Sequence, residues 1–164
     1  MSVIFKKRKK IKAIQLKVSP NVKLVFDRNK QIGENTLEAC GILIGRHSED
    51  GKEIRVELAT PPSKFDVRKR FSFKIHSKHH QKILSDKFIT SQNELVFLGT
   101  WHSHPEPKPT PSECDIKDWK KQFKKNKHLF DYMIFAIVGQ KQIRYWLVKN
   151  GNYSRIKKKC VCYE

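Results

Sequence analysis

The chain has 164 residues, within the about 100–200 of one ordinary domain, so two independent enzymatic domains are excluded. A composition of 38% hydrophobic and 31% charged residues supplies a core and is unlike that of a disordered chain. Thirty-five Lys and Arg against 16 Asp and Glu give a net charge of +19, which favours an acidic partner without naming it. No apolar run approaches the roughly 20 residues of a membrane span, because Tyr132 to Val138 stops at Gly139. The N-terminal MSVIFKKRKKIK has neither the apolar stretch nor the small-residue cleavage site of a secretory signal, so a cytoplasmic protein is expected. The cysteines Cys40, Cys114, Cys160 and Cys162 are too few and too irregularly spaced for a disulfide framework and predict reduced thiols.

Without a repeat or a Gly/Ser linker, the sequence predicts one domain over residues 1–164. Its core spans about 11–150, between a basic segment 1–10 and a basic tail 153–164. The first strand is expected from Ile11 to Val18. Ser19-Pro20 reads as N-cap and first turn of a helix to Gln31, ended by Gly33. ACGILIG, Ala39 to Gly45, is a glycine-bounded apolar run of the kind buried on both faces, hence central in a sheet. Ile54, Val56 and Leu58 alternate with charges and complete a hairpin through Glu49-Asp50-Gly51.

Arg70 to Ile75 alternates again, and His76 to Thr90 carries Ile83, Leu84 and Phe88 at helical spacing. From Leu95 to His104 a strand is predicted, with Val96, Leu98 and Thr100 on one side and Phe97 and Gly99 on the other. Ser112 starts a third helix bearing Ile116, Trp119 and Phe123, with Trp119 as core anchor. Strands Tyr132 to Val138 and Ile143 to Val148 follow, and Tyr153 to Tyr163 reads as strand or basic strap. The fold class is α/β, a mixed sheet with about three helices.

In Trp101-His102-Ser103-His104-Pro105, two histidines two apart at a strand end place both imidazoles on one face. Asp115 falls in the first turn of the helix that Ser112 caps, and the intervening loop is long enough to bring it back to the strand end. Two imidazoles and a carboxylate are the donor set of a catalytic zinc, with the fourth position left open for water and hydrolysis. Each half also has a bland reading: His-x-His occurs on surface strands, and Ser-x-x-Asp is a common helix cap. Glu38, just before the buried strand, reads by itself as an exposed loop acid.

Taken together, Glu38, His102-Ser103-His104-Pro105, six residues, Ser112, two residues and Asp115 resemble the JAMM motif of the MPN metalloprotease family. The order of strands and helices from about Ile11 to Val148 suits that family's curved sheet wrapped by helices, with a cytidine-deaminase-like core. The resemblance implies that His102, His104 and Asp115 bind Zn²⁺ and that Glu38 holds the water at the fourth site as acid–base. Ser112 would steady the oxyanion. It also implies cleavage of amide or isopeptide bonds. Within the family the short chain looks like prokaryotic JAB proteins, including those that accompany E1/E2-like ubiquitin-transfer enzymes in bacterial antiviral (CBASS) operons and reverse conjugation. The expected substrate is a ubiquitin-like protein or a protein conjugate, with no membrane involved.

A rival reading is a RadC-like module acting with nucleic acid. It is motivated by Lys6 to Lys10, Lys117 to Lys127 and Arg155 to Lys159, although Phe71, Phe73 and Tyr153 form no evident stacking platform. A metal-free scaffold is disfavoured because the full motif is intact. Cys40 and Cys114 read as small space-filling residues, and Cys160-x-Cys162 lacks a second pair. His47-Ser48-Glu49 has no Pro-Cys-x-x-Cys after it and is no deaminase site. His76, His79, His80 and His128 read as surface residues.

Overall fold

The computed structural model describes residues 14–157. Its elements are β1 (Gln15–Val18), α1 (Pro20–Arg28), β2 (Cys40–His47), β3 (Glu53–Ala59), β4 (Val67–Arg68), β5 (Phe73–Lys74) and α2 (Ser77–Thr90). They continue with β6 (Val96–Ser103), α3 (Glu113–Asn126), β7 (Met133–Val138), β8 (Ile143–Lys149) and β9 (Asn152–Arg155). Seven strands form one sheet in the order β1-β3-β2-β6-β7-β8-β9, and β4 and β5 make a separate two-stranded hairpin. The sheet is mixed, since β1 runs parallel to β3 and β6 parallel to β7, with antiparallel pairing elsewhere. The α/β class follows directly.

Both faces of the central strands are covered, which is why ACGILIG and MIFAIV are almost wholly apolar. On one face α1 lays Val22 and Phe26 over Leu43, Trp101 and Tyr145, with the Phe26 and Trp101 rings 5.0 Å apart. On the other, α3 presses Trp119 and Phe123 onto Phe135 and Trp146, Trp119 stacking on Phe135 at 4.9 Å. Beside α3, Ile83 and Leu84 of α2 pack on Ile42 and Ile44. Trp119 is the expected anchor, 2% exposed.

Several boundaries move for identifiable reasons. Helix α1 stops at Arg28 rather than Gln31, because Asn29 closes it from its backbone N–H to Phe26 O and from its side chain to Val25 O. The expected strand at Arg70 to Ile75 shrinks to β5, because the Lys69 N–H donates to Ser72 O and turns the chain there. In the tail, read as strand or basic strap over Tyr153 to Tyr163, β9 is a strand over Asn152–Arg155; residues 158–164, with Cys160 and Cys162, and the basic segment 1–10 lie outside the described residues.

The alternation expected along β6 fails at one place. Leu43 pairs with Gly99 but Ile44 pairs with Phe97, so Leu98 is an extra residue and the strand changes phase. Leu98 and Trp101 consequently share the α1 face, and Thr100 joins Phe97 on the face of α2 and α3. Gly99 makes this possible: its φ is +151°, and a Cβ there would overlap the Ile134 carbonyl oxygen. His102, opposite Ile137 on β7, thereby lands on the face that α3 covers.

Candidate metal centre

The centre starts at the end of β6, where His102 is 1% exposed and His104 follows two residues later. Their Nε2 atoms lie 3.1 Å apart. The proline-rich stretch after them does not wander. Gln140 N–H donates to Glu106 O, Lys141 and Gln142 N–H to Pro107 O, and Arg144 Nη1 to Pro109 O, which fastens the loop to the β7–β8 turn. The start of α3 is thereby returned to the strand end.

There Ser112 caps α3. Its Oγ accepts from the Asp115 N–H at 3.2 Å, and Asp115 Oδ2 accepts from the Ser112 N–H and hydroxyl, each at 2.7 Å. The capping box orients the Asp115 carboxylate, whose Oδ1 is 3.2 Å from His102 Nε2 and whose Oδ2 is 3.4 Å from His104 Nε2. Glu38 arrives from the segment before β2, and its Oε1 stands 3.9 Å from both Nε2 atoms. Its main chain is held by the β4–β5 hairpin: Glu38 N–H donates to Lys69 O, and Glu38 O accepts from Arg68 Nε. The Phe73 ring of β5 lies 4.9 Å from the His102 imidazole and walls the other side.

The spacing fits one shared cation. Ligands about 2.0–2.1 Å from a tetrahedral ion stand about 3.3–3.4 Å from each other, close to the separations among His102, His104 and Asp115. The two ring nitrogens at 3.1 Å have room for one proton between them or for two lone pairs directed at one cation. Ligating atoms of Glu38, His102 and His104 also lie within 4.8 Å of one another, the grouping of this kind found among the described residues.

The electrostatics assign different characters to the two carboxylates. Burial pushes the Glu38 carboxyl up to about 7, against the lowering influence of His104 and with some help from the Asp115 charge. Asp115 is buried too, but hydrogen bonds from both imidazoles and Ser112 hold it well below the usual carboxylate range. Burial lowers His102. His104 is raised despite burial, because Asp115, Glu38 and Glu106 surround it with negative charge.

All five expected site residues are thus brought together, and the exposed-loop reading of Glu38 is excluded, since it is 4% exposed. Two other readings are corrected. His80 is a buried residue rather than a surface one: its Nδ1 is 2.6 Å from Thr60 Oγ1 and its Nε2 3.2 Å from the Asp66 carboxylate. Cys40 is buried as a space-filler, but Cys114 is exposed and lines the cleft beside Asp115. That cleft, about 780 Å³, is also bordered by Phe73, Lys74, Glu106 and Ser112. Sequence reasoning weighed Phe73 only as a stacking residue and passed over Arg68 and Asp66, because their contacts are made by a hairpin that no local pattern ties to the motif.

This assembly is that of a JAB-type domain, and the family described as prokaryotic homologs of the JAB domain matches residues 28–152. The chain belongs to that family. A protein of Escherichia coli named CD-NTase/cGAS isopeptidase is 34% identical over 134 residues, covering 80% of this chain and 81% of its own. A Vibrio cholerae protein of the same name is 32% identical, covering 73% and 72%. The solution structure of a protein from Desulfitobacterium hafniense covers 92% of this chain and 94% of its own at a TM-score of 0.60; at 19% identity it supports the fold alone. Among the described residues, no helix is long and apolar enough to cross a membrane.

Proposed function

We propose that the chain is a zinc-dependent isopeptidase that releases a protein from the lysine to which its C-terminus is joined. The observation that carries this reading is the convergence of His102, His104 and Asp115 at ligand spacing, with the buried, high-pKa Glu38 beside them. Two imidazoles and a carboxylate favour zinc with an open position, and a bound zinc ion supplies Lewis acidity toward water and the scissile carbonyl. Glu38 takes the proton of the attacking water as its oxygen bonds to the carbonyl carbon. It returns that proton to the lysine nitrogen as the C–N bond breaks. A buried carboxyl, whose charged form desolvation disfavours, suits both halves of this exchange.

Ser112 lines the cleft, and its hydroxyl donates to Asp115 Oδ2. Turning that hydroxyl toward the oxyanion leaves Oδ2 held by the Ser112 N–H, so the ligand stays oriented while the developing charge gains a donor. The substrate class rests on the relatives. Their shared name makes a CD-NTase joined through an isopeptide bond the first conjugate to examine, with ubiquitin-like conjugates second. In this reading E1/E2-like enzymes make the bond, the setting is antiviral and the place is the cytoplasm.

Metal analysis of purified protein, combined with cleavage of such a conjugate by wild type and Glu38→Gln, tests the proposal. Wild type is expected to hold one zinc per chain, and Glu38→Gln to keep the metal while losing about 10²–10⁴-fold in kcat. Undiminished cleavage by Glu38→Gln overturns the mechanism.

A further inference from the structure

Behind the centre, away from the cleft, Gln31 is buried with 0% exposure although it is uncharged, polar and outside every motif. Its amide joins three segments. Oε1 accepts from Ser103 Oγ at 3.0 Å, and Nε2 donates to Thr36 O at 3.2 Å and to Arg70 O at 2.9 Å. Ser103 lies between His102 and His104, Thr36 is two residues before Glu38, and Arg70 is in the hairpin turn beside Phe71. The Gln31 carbonyl in turn accepts from Gln140 Nε2 at 2.9 Å, at the turn that fastens the proline-rich loop.

Chemistry fixes which way the amide faces. Thr36 O and Arg70 O can only accept, so they need the NH₂ group. Ser103 Oγ already accepts from the Ala39 N–H at 2.8 Å, which leaves its own proton to donate. Glutamate offers no donor for the two carbonyls, and asparagine is one methylene too short to span all three partners.

We propose that Gln31 is a positioning residue that sets the distance between Glu38 and the two histidines. Resting on the isopeptidase reading, it assigns Gln31 a task separate from holding metal. The ligands stand on β6 and α3, which have their own ladders and cap, whereas the segment bearing Glu38 is placed by hydrogen bonds to the hairpin, to Ser103 and to Gln31. Removing the amide leaves the ligands in place and lets the base drift, together with the hairpin wall at Arg70. A drift of this kind affects the proton transfer more than it affects binding.

Two measurements on the full chain decide this, with Gln31→Met as nearly equal-volume replacement and Gln31→Asn as milder variant should the first not fold. Amide hydrogen exchange needs no metal or substrate: exchange over residues 36–39 is expected to rise at least about tenfold while residues 99–103 keep their protection. Unchanged protection at 36–39, or equal loss in both segments, overturns the proposal. In the second, the zinc enzyme cleaves a conjugate. Gln31→Met is expected to lower kcat about tenfold or more, with KM within about threefold and the visible spectrum of the cobalt-substituted centre unchanged. Adding Gln31→Met to Glu38→Gln should then cost no further rate, because the group it positions is gone. An additive loss, or an altered cobalt spectrum, refutes action through Glu38. If wild type itself holds no metal and cleaves nothing, the isopeptidase reading fails, and the exchange experiment still decides what Gln31 positions.

Discussion

The two sides of the centre are built differently. His102, His104, Ser112 and Asp115 lie within fourteen residues, and a strand end, a pinned proline loop and a capping box bring them together. Glu38 comes from sixty-four residues before His102 and is held through its main chain by Lys69 and Arg68 and through the loop by Gln31. The first side is local and self-supporting. The second is assembled from distant segments by polar groups that are each costly to leave unpaired. Metal retention and proton transfer should therefore fail separately.

The largest expected effect is on the local side. Asp115→Ala removes both a donor and the capping-box acceptor, and metal affinity should fall beyond the about 10–100-fold typical of losing a supporting group. Competition with a chelator measures it, and metal affinity equal to wild type would show that the third donor is not Asp115. Next comes Trp119→Ala, which opens a hole between α3 and Phe135 and should cost about 3–5 kcal/mol in urea unfolding. Should stability and metal both survive, the helix is held by its cap more than by its core.

Asp66→Asn concerns the distant side and is the smallest. The Asp66 carboxylate accepts from the His76 and Ser63 N–H groups and meets His80, and so gathers both ends of the hairpin segment. Burial raises its pKa, but these hydrogen bonds outweigh burial and leave it below the ordinary value. A depressed folded pKa means the stabilisation is present above about pH 4 and is lost as pH falls through the folded value. Asp66→Asn should cost about 1–3 kcal/mol near neutrality and progressively less in acid. Unfolding curves from pH 3 to 7 give the comparison; a difference that does not change with pH would mean that the charge plays no part.

Legibility followed the same division. His102, His104 and Asp115 stood at readable spacing, because strand periodicity and helix capping are local rules. The apolar runs of β2, β7 and β8 announced a buried sheet for similar reasons. Glu38 was recognised only through resemblance to a family motif, and Gln31, Arg68 and Asp66 were not recognised at all. A buried glutamine satisfied by two remote partners and one five residues on looks like any glutamine near a helix end. His80 went unread because its partners, Thr60 and Asp66, are 20 and 14 residues away and joined to it by no period. The phase change at Leu98 was missed because alternation carries no sign of where it breaks.

Had β6 kept a strict two-residue rhythm from Val96 onward, both imidazoles would point into the apolar layer under α1, sealed from any substrate. Access to the two imidazoles is thus decided by parity at a residue that lines no part of the cleft, and Gly99→Ala should bury the histidines on the wrong side or prevent the sheet from closing.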